Sequence, residues 1–464
     1  MKRSWTVVVS IGSGCLTAAA LAAPDVWVCS LPSTHYWGQT LGVYAFSVGT
    51  TSANAGDVNL QWVQNGTQHP VIGQNMYRLK DGVLEQIGMS WLKHGFCALQ
   101  QNLGCGVCSQ PTGACLSFLR PGCSDPYVAT LNGAQNGLGP RSEVNPSSGA
   151  FAWPHAIADE NPGVPGNQFI TTSARIQVLE ADILPGFNPG ARWFVEGQYI
   201  HPQDAGANND NNNVSYREIG IVGFSFVPNT QPANLGGTVG MTSMIEGWAS
   251  MDPSVLLTTV DVPGTGSGRV FVASKATDNG DGAWTYEYAV YNMNMDRAIG
   301  SVSVPAADGL VVSPIGFHDV SYHSGEPYDG TDWPGTHAAG AVTWATTDFA
   351  TNPNANAVRW GTMYNYRFTS DAAPAAAPVN AILGLFKPAG VVDPDTVAAA
   401  VIGPGGAPCP SDLNGDGVVN GGDISSILNT FGATGAGLPE DLNGDNVVDG
   451  GDISFILNAF GACP

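Results

Sequence analysis

The sequence predicts a mainly β protein, with one or two antiparallel domains of β-sandwich or jelly-roll type followed by a small all-α domain. Residues 24–235 form short β-type runs separated by Gly, Asn and Pro clusters. Residues 236–388 contain longer alternating runs, and residues 410–464 contain a duplicated polar loop followed by an apolar pattern of helical period. The chain has 464 residues, of which 43 % are hydrophobic, so it can bury large cores in two or three domains.

The net charge of the chain limits the classes of molecule that it can bind. Against 38 Asp and Glu the chain has only 16 Lys and Arg, which gives a net charge of −22. Such an acidic chain has no basic surface for a phosphate backbone, so nucleic acid is excluded as a partner. Anionic membrane surfaces are disfavoured for the same reason.

The first 23 residues have the pattern of a secretory signal peptide. Lys2 and Arg3 precede an apolar stretch, and Ala20-Leu21-Ala22 supplies the small residues of a cleavage site. No later run approaches the roughly 18 apolar residues that a membrane span needs. We therefore expect a protein that is secreted or held at the cell surface, with no membrane span.

The cysteine content agrees with export, because disulfides are the usual state of cysteine outside the cytoplasm. Removal of the signal leaves eight cysteines, of which six lie early and two late: Cys29, Cys97, Cys105, Cys108, Cys115, Cys123, Cys409 and Cys463. Disulfides are the favoured interpretation, and a four-thiolate zinc site built on Cys105-x-x-Cys108 with Cys115 and Cys123 is the alternative. The pairing of the early six is left open by the sequence.

The β-type region divides into two predicted domains, a Cys-containing one over 24–235 and a sandwich over 236–388. In the second, Asp278–Gly282 predicts a turn, and Trp284–Tyr291 after it alternates large and small residues. An aromatic stripe of one parity follows at Trp360, Tyr364, Tyr366 and Phe368. Such a stripe is more often core than a sugar-binding platform. Residues 389–409, rich in Pro, Ala, Gly and Val, are predicted to be a linker.

The C-terminal region contains two ungapped repeats 29 residues apart. Each is a twelve-residue loop with side-chain oxygens at positions 1, 3, 5, 9 and 12, the ligand type that Ca²⁺ prefers. The predicted calcium ligands, including the carbonyls of two valines, are Asp412, Asn414, Asp416, Val418, Asn420 and Asp423 in the first loop, and Asp441, Asn443, Asp445, Val447, Asp449 and Asp452 in the second. Position 6 needs a left-handed turn, which Gly417 and Asn446 can adopt.

Solvated Asp and Asn turns are the alternative interpretation of these loops, and the charge distribution argues against it. From Cys409 onward there are eight acidic residues, and no Lys or Arg occurs after Lys387. Two calcium ions would neutralise the acids where they are densest. An apolar stripe follows each loop, at Ile424, Ile427, Leu428 and Phe431 and at Ile453, Ile456, Leu457 and Phe460.

The duplicated loop and helix, with Asp at position 12 and no entering helix, resembles a type I dockerin module over residues 412–461. The resemblance implies a paired EF-hand-type loop–helix fold, two bound calcium ions and docking to a cohesin-like or other extracellular protein. It implies a polysaccharide-acting cargo and a clasp between Cys409 and Cys463, and near-identical repeats would permit two docking orientations related by a half-turn. Positions 10 and 11, often recognition residues in dockerins, are Gly421-Gly422 and Gly450-Gly451 here, so known cohesin specificity does not carry over.

The chemistry of the large region has only weak candidates. His69 and Tyr77 could bind sugar hydroxyls or do acid–base work, and a core-edge strand pair is the alternative interpretation of that group. Arg141 and Glu143 belong to a run that resembles strand motifs of jelly-roll polysaccharide lyases, although the Gln-x-His of that pattern is absent. Among the acids, Glu143, Glu196 and Glu287 lie in apolar runs and suit a glycosidase pair best. A group from His318 to His337 is either a metal site or surface histidines.

The sequence leaves two expectations for the function. The chain is a glycoside hydrolase or polysaccharide lyase, or it is a non-catalytic glycan-binding or cell-surface structural protein.

Overall fold

The computed structural model describes residues 22–156, 170–221, 232–323, 325–388, 390–406, 409–414 and 418–462. The predicted signal peptide lies outside the described residues except for Ala22 and Ala23, as do Asp416, Gly417 and Cys463. The described chain is mainly β with several antiparallel sheets, which confirms the predicted class. No helix in these ranges is long and apolar enough to span a bilayer.

The strands of the first part of the chain are short and lie in several small sheets around one larger sheet. In chain order they are β1 (Val26–Ser30), β2 (Thr34–Thr40), β3 (Val43–Val48), β4 (Thr50–Asn54), β5 (Leu60–Gln61), β6 (Val71–Lys80), β7 (Val83–Met89), β8 (Leu92–His94), β9 (Ala98–Gln100), β10 (Thr112–Leu116), β11 (Phe118–Leu119), β12 (Ser124–Tyr127), β13 (Leu138–Gly139), β14 (Val144–Asn145), β15 (Ala150–Phe151), β16 (Ile176–Leu179), β17 (Arg192–Ile200), β18 (Val214–Gly220) and β19 (Ala233–Val239).

The strands of the later part are longer and form two five-stranded sheets before the C-terminal region. They are β20 (Leu256–Val262), β21 (Gly268–Asp278), β22 (Trp284–Asn292), β23 (Ile299–Pro305), β24 (Val312–His318), β25 (Gly335–Ala338), β26 (Ala341–Ala345), β27 (Thr362–Ser370), β28 (Val379–Leu385), β29 (Thr396–Val401), β30 (Val418–Val419) and β31 (Gly461–Ala462). The helices are α1 (Ala129–Asn132), α2 (Glu180–Ile183), α3 (Pro202–Gly206), α4 (Met244–Met251), α5 (Gly421–Thr430) and α6 (Gly450–Asn458).

Three sheets are stacked in layers. Sheet I has the order β13-β8-β6-β17-β18-β19, with β7 also paired to β6; sheet II is β20-β21-β22-β27-β24, and sheet III is β25-β26-β23-β28-β29. Successive side chains of a strand point to opposite faces, so Val195 of β17 packs into a core with the small sheets while Phe194 faces sheet II. Sheet II is covered on both sides, because Tyr291 of β22 packs towards sheet I and Tyr288 packs towards sheet III.

The aromatic stripe of residues 360–368 is core, as predicted. Tyr364, Tyr366 and Phe368 on β27 pack between sheets II and III, and Trp360 lies in a smaller buried cluster beside Phe151. The predicted turn between Asp278 and Trp284 joins β21 to β22 as a hairpin, with Gly280 and Gly282 at positive φ.

Two predicted domain boundaries are corrected by the sheet pairing. The boundary between 235 and 236 falls inside β19, which extends sheet I, and sheets I and II share one hydrophobic core. Residues 396–401 of the predicted linker form β29, because Val397, Ala399 and Val401 alternate onto the core of sheet III. Gly405 then donates its backbone N–H to Ala373 at 2.8 Å, and the C-terminal core begins at Cys409, so residues 406–408 alone connect the two.

The early cysteines form three disulfides, as favoured from the sequence. The pairs are Cys29–Cys105, Cys97–Cys115 and Cys108–Cys123. All four thiols of the alternative zinc site are consumed by these bonds, so that alternative is excluded. Cys409 is also disulfide-bonded, while the predicted partner, Cys463, lies outside the described residues.

The described C-terminal region is not purely helical, since α5 and α6 are accompanied by the short antiparallel pair β30–β31. Ile427 and Ile456 are fully buried between the helices, and Ile424 and Ile453 pack against them. The rest of each predicted apolar stripe is not core, because two short helices cannot cover a four-residue face. These half-exposed side chains are Leu428, Phe431, Leu457 and Phe460, with exposed fractions of 58 %, 54 %, 55 % and 52 %.

Candidate functional site

The four catalytic candidates do not face one open cleft. Tyr77 and Arg141 meet in a buried polar network between sheets I and II. His69 lies in a separate cluster of histidines and aromatic rings. Glu143 accepts the backbone N–H of Ala156 through both carboxylate oxygens, at 2.9 and 2.8 Å. The structure therefore brings two of the four together and leaves the other two elsewhere.

Glu196 is the centre of the buried network. Its Oε1 accepts hydrogen bonds from Tyr77 at 2.9 Å, Asn75 at 3.0 Å and Tyr291 at 3.1 Å, and its Oε2 accepts the backbone N–H of Met244 at 2.8 Å. Burial raises the pKa of Glu196, and these four donors act in the opposite direction by favouring the carboxylate. Burial also raises the pKa of Tyr77 well above its usual value, with the Glu196 carboxylate adding to it.

Strand register explains why these residues meet. Asn75 of β6 lies directly opposite Glu196 of β17, and Tyr77 lies two residues further along the same face of β6. Tyr291 reaches the carboxylate from β22 of sheet II. The network therefore joins the two sheets across their shared core.

Arg141 extends the network to sheet II, because its Nη1 donates to the carbonyl of Gly361, just before β27, at 3.4 Å. Its Nε donates to the carbonyl of Ser90 at 2.7 Å, and its Nη2 donates to Asn75 Oδ1 at 2.9 Å. The guanidinium lies 5.5 Å from the ring of Trp360, and the loop residue Glu326 accepts the backbone N–H of Arg141 at 2.6 Å. Arg141, Tyr77 and Glu196 are each at least 95 % buried, so this arrangement holds the sheets together and does not present acid–base groups to a substrate.

The histidine cluster is also core. His69 Nε2 lies 3.0 Å from His94 Nδ1, and both rings pack against Phe151 and Trp153. Burial lowers the pKa of His94 to about 3, and the neighbouring His69 adds to this shift. A neutral imidazole pair packed among aromatic rings agrees with the core-edge strand pair that was the alternative to a catalytic role.

The predicted histidine and carboxylate group between His318 and His337 does not converge. His323 packs on Trp91 with ring centroids 5.7 Å apart, whereas His337 Nε2 lies 3.2 Å from the carbonyl oxygens of Ala306 and Ala307. His318 lines a cleft on a different side. Within the described ranges, no three His, Cys, Asp or Glu side chains form a group that could hold a metal ion.

A partly open ion-pair cluster lies at the edge of the same two sheets. Arg367 of β27 is 3.0 Å from Glu85 of β7 and 2.9 Å from Glu287 of β22, and Arg78 joins Glu85 to Asp182. Burial raises the pKa of Glu287 to about 8. Burial acts in the same direction on Glu85, but the neighbouring His318, Arg78 and Arg367 outweigh it and lower the pKa of that carboxyl.

These opposite shifts predict opposite pH effects for two isosteric variants. In the unfolded chain Glu287 titrates near its usual value of about 4.3. Between that pH and about pH 8, the folded chain binds the proton of Glu287 more tightly than the unfolded chain does. The free energy of unfolding therefore falls as pH rises through this range. We expect Glu287→Gln to gain stability relative to the wild type between pH 5 and pH 8 in urea titrations. Glu85→Gln is the control and should be less stable than the wild type at pH 7, because Glu85 stabilises the fold as a carboxylate. A stability difference between Glu287→Gln and the wild type that does not change with pH would contradict the raised pKa of Glu287.

The second C-terminal loop folds around its own acidic side chains. Asp441 Oδ1 accepts the backbone N–H of Gly444 at 2.9 Å, and Asp452 Oδ1 accepts that of Leu442 at 2.8 Å. Asp449 caps α6 by accepting from Gly451, as Asn420 caps α5 by accepting from Gly422. Asn446 at position 6 has a φ of 69°, which is the left-handed turn predicted for it. Asn443 and Asp445 lie within this loop and hydrogen-bond to each other at 3.0 Å.

Asp416 of the first loop lies outside the described residues. The other ligand candidates of that loop are Asp412, Asn414, Val418, Asn420 and Asp423. Asp423 is fully buried and accepts the backbone N–H of Asn414 at 3.1 Å and of Asn420 at 2.8 Å. Both loops thus end on a buried aspartate at the start of a helix. Oxygen side chains and valine carbonyls are the donor type that Ca²⁺ takes. The described carboxylates of the two loops are not, however, drawn together into a group of three that could hold a metal ion.

Sequence reasoning did not connect Glu196 with Asn75, Tyr291 and Arg141, although it singled out Glu196 as an acid in an apolar run. The signal that was available is the alternation of β17, which places Glu196 on the same face as Phe194. The facing strand, β22, lies about a hundred residues further along the chain and could not be identified from local pattern.

No protein-family model matches the chain. A search of curated proteins returns no significant relative.

Proposed function

We propose that the protein acts outside the cell, where its C-terminal module, residues 410–464, binds two calcium ions and docks the β-rich body to a cohesin-like or other extracellular protein. The body then acts on polysaccharide. One observation carries the docking proposal: α5, α6 and the residues that follow them present large apolar side chains to solvent at equivalent positions of the two repeats, Leu428 with Leu457 and Phe431 with Phe460.

The character of these helix surfaces supports a role in protein association. Asp423 and Asp452 are the charged side chains of α5 and α6, and both are fully buried. The exposed positions of the two helices are therefore Gly, Ser, Asn, Leu and Phe. Small modules seldom leave several large apolar side chains on an uncharged surface unless a partner covers them.

The calcium part of the proposal rests on charge and on the dockerin resemblance. Seven of the module's eight acidic residues lie in the two loops, and in the parts of residues 390–462 that the structure describes no Lys or Arg is present to pair with them. Asp441, Asp445, Asp449 and Asp452 belong to one twelve-residue loop. A divalent ion at that loop would offset their mutual repulsion.

We expect replacement of Leu428, Phe431, Leu457 and Phe460 together by serine to abolish docking while calcium binding persists. The wild-type chain, immobilised with calcium, should retain a partner from extracellular and cell-surface protein fractions, and the four-serine variant should not. A control variant with Leu41, an exposed hairpin residue of the body, changed to serine should dock normally. Equal retention by wild type and four-serine variant would contradict the assignment of this surface.

Two functions of the β-rich body can be distinguished by what the body does to a glycan. A glycoside hydrolase or polysaccharide lyase releases reducing sugars or unsaturated products from a glycan panel, whereas a non-catalytic glycan-binding or structural protein is retained on insoluble glycans without releasing either. An aromatic sugar platform receives no support from the described residues, since none of their Trp and Tyr side chains is exposed.

A further inference from the structure

The segment just before β1 is held by the body at successive residues. Ala23 donates its backbone N–H to Asp57 Oδ1 at 2.7 Å, and its carbonyl accepts the backbone N–H of Asp57 at 3.1 Å. The carbonyl of Asp25 accepts the backbone N–H of Ala55 at 2.7 Å. Residues 23–25 are therefore fixed in place before the first strand begins.

A second set of contacts with this segment comes from α3 and from the asparagine-rich loop that follows it. Three side chains there each hold one residue of the segment: Asn209 donates to the carbonyl of Pro24 at 2.9 Å, Asn212 donates to Asp25 Oδ1 at 3.1 Å, and Asp204 accepts the backbone N–H of Val26 at 3.0 Å. We call Asp57, Asp204, Asn209 and Asn212 the N-terminal clamp.

The segment lies so close to Gly56 that no side chain fits there. A Cβ built on Gly56 would lie 2.7 Å from the backbone nitrogen of Asp25 and 2.8 Å from the Cα of Pro24, and it would overlap the carbonyl oxygen of Ala23. All three of these atoms belong to the backbone and cannot rotate away. Glycine permits such a close approach, so Gly56 completes the clamp.

The clamp indicates which bond is cut when the predicted signal peptide is removed. In Ala20-Leu21-Ala22, small residues occupy the third and first positions before the bond that follows Ala22, which is the pattern of a cleavage site. A cut one residue later would put Leu21 at the third position and would remove Ala23 with its two hydrogen bonds to Asp57. Ala22 is exposed, so a cut after it keeps every clamp contact.

We propose that processing cuts the bond between Ala22 and Ala23, and that the new ammonium group of Ala23 forms an ion pair with Asp57. Water adds across the peptide bond, so that Ala22 leaves with a carboxylate and Ala23 keeps the ammonium. In the uncut chain the same nitrogen is a neutral amide with one N–H. The cut adds a charge to a hydrogen bond that already exists, and charge-assisted hydrogen bonds are about twice as strong as neutral ones.

The proposal rests on the export that the proposed function assumes, and it does not depend on calcium, docking or polysaccharide. It gives the asparagine-rich loop a role, which is to hold the start of the processed chain. It also makes the ion pair a mark of processing, because a chain that keeps its leader has no ammonium at this position.

The first test is the N-terminus of the exported protein. The full chain is expressed with its own leader in an exporting bacterial host, and the exported protein is examined by intact mass and N-terminal sequencing. We expect one species that begins Ala-Pro-Asp. An exported protein that begins at Pro24 or elsewhere would overturn the proposal and leave export standing. A chain that keeps its leader and stays inside the cell would refute export, and this proposal with it.

The second test measures the ion pair on the exported protein itself. Reductive methylation with ¹³C-formaldehyde labels the amine, and its NMR signal is followed against pH. The pKa of the Ala23 amine should be about 0.5 higher in the wild type than in Asp57→Asn, because a nearby carboxylate favours the charged amine. Asp25 and Asp204 also face the segment, and they act in the same direction in both proteins. Asp81→Asn, in the exposed turn between β6 and β7, is the matched control and should titrate as the wild type does.

Gly56→Ala separates the position of the amine from the charge beside it. This variant keeps Asp57 but displaces residues 23–25 from the clamp, so the pKa of the amine should fall to the value found in Asp57→Asn. Equal pKa values in the wild type and Asp57→Asn would overturn the ion pair. A Gly56→Ala amine that titrates as the wild type does would show that the clamp does not position it, and would overturn the proposal as well.

Discussion

Replacing Glu196 by alanine is expected to lower the free energy of unfolding by about 3–5 kcal/mol, the usual cost of removing one partner from a buried charged network. The change leaves the hydroxyls of Tyr77 and Tyr291 and the amide of Asn75 without their acceptor in the core between sheets I and II. It also removes the carboxylate that helps to offset the buried guanidinium of Arg141. Urea titration followed by tryptophan fluorescence measures the loss.

Tyr77→Phe and Tyr291→Phe are the matched controls. Each removes one hydrogen-bond donor and keeps the ring, so each should cost only about 1–2 kcal/mol. In the double variant Glu196→Ala/Tyr77→Phe the two losses should be less than additive, because the tyrosine has already lost its acceptor. Full additivity, or an alanine variant as stable as the wild type, would show that the network does not hold the sheets together.

Chelation of calcium is expected to unfold the C-terminal module while the β-rich body stays folded. Without the ions, the acids of residues 412–452 repel one another, and a core built around Ile427 and Ile456 is too small to offset that repulsion. Differential scanning calorimetry of the full chain should show a calcium-dependent transition that disappears in EGTA, beside one that does not change. Titration calorimetry should give two calcium ions per chain.

A pair of neighbouring variants separates calcium ligation from net charge. Asp441→Asn and Glu440→Gln each remove one negative charge, and the two residues are adjacent in sequence. Only Asp441 is a predicted ligand, so Asp441→Asn should reduce the stoichiometry towards one ion while Glu440→Gln keeps two. Identical titrations for both variants, or a module whose transition ignores EGTA, would contradict the calcium assignment.

The parts of the fold that the sequence predicts are those that depend on neighbouring residues. Alternation over Trp284–Tyr291 predicts a strand, and Asp278–Gly282 predicts the turn before it, because both follow from local backbone chemistry. The left-handed turn at Asn446 is of the same kind. The pairing of Ala233–Val239 with β18 depends on which strand is adjacent in space, and no local pattern specifies that.

The candidate sites show the same limit. His69 and Arg141 are residue types that often do chemistry, but burial decided their role, and burial depends on which layers cover them. The strand at 396–401 was missed because Ala and Val next to Pro and Gly resemble a linker in composition, while their alternation becomes meaningful only beside β28. Conversely, Leu428 and Phe431 fit a core pattern, and a module of this size has no room to bury them.

If the C-terminal module docks as proposed, the short stretch of sequence between Gly405 and Cys409 would limit how the docked molecule can be oriented. Extended chain gives at most about 14 Å between Gly405 and Cys409, so the body follows the module closely instead of swinging on a long tether. A partner that holds the module would therefore also aim the body, and two docking modes related by a half-turn would point the body in opposite directions. Lengthening this segment with glycine and serine should make the body's direction independent of the docking mode.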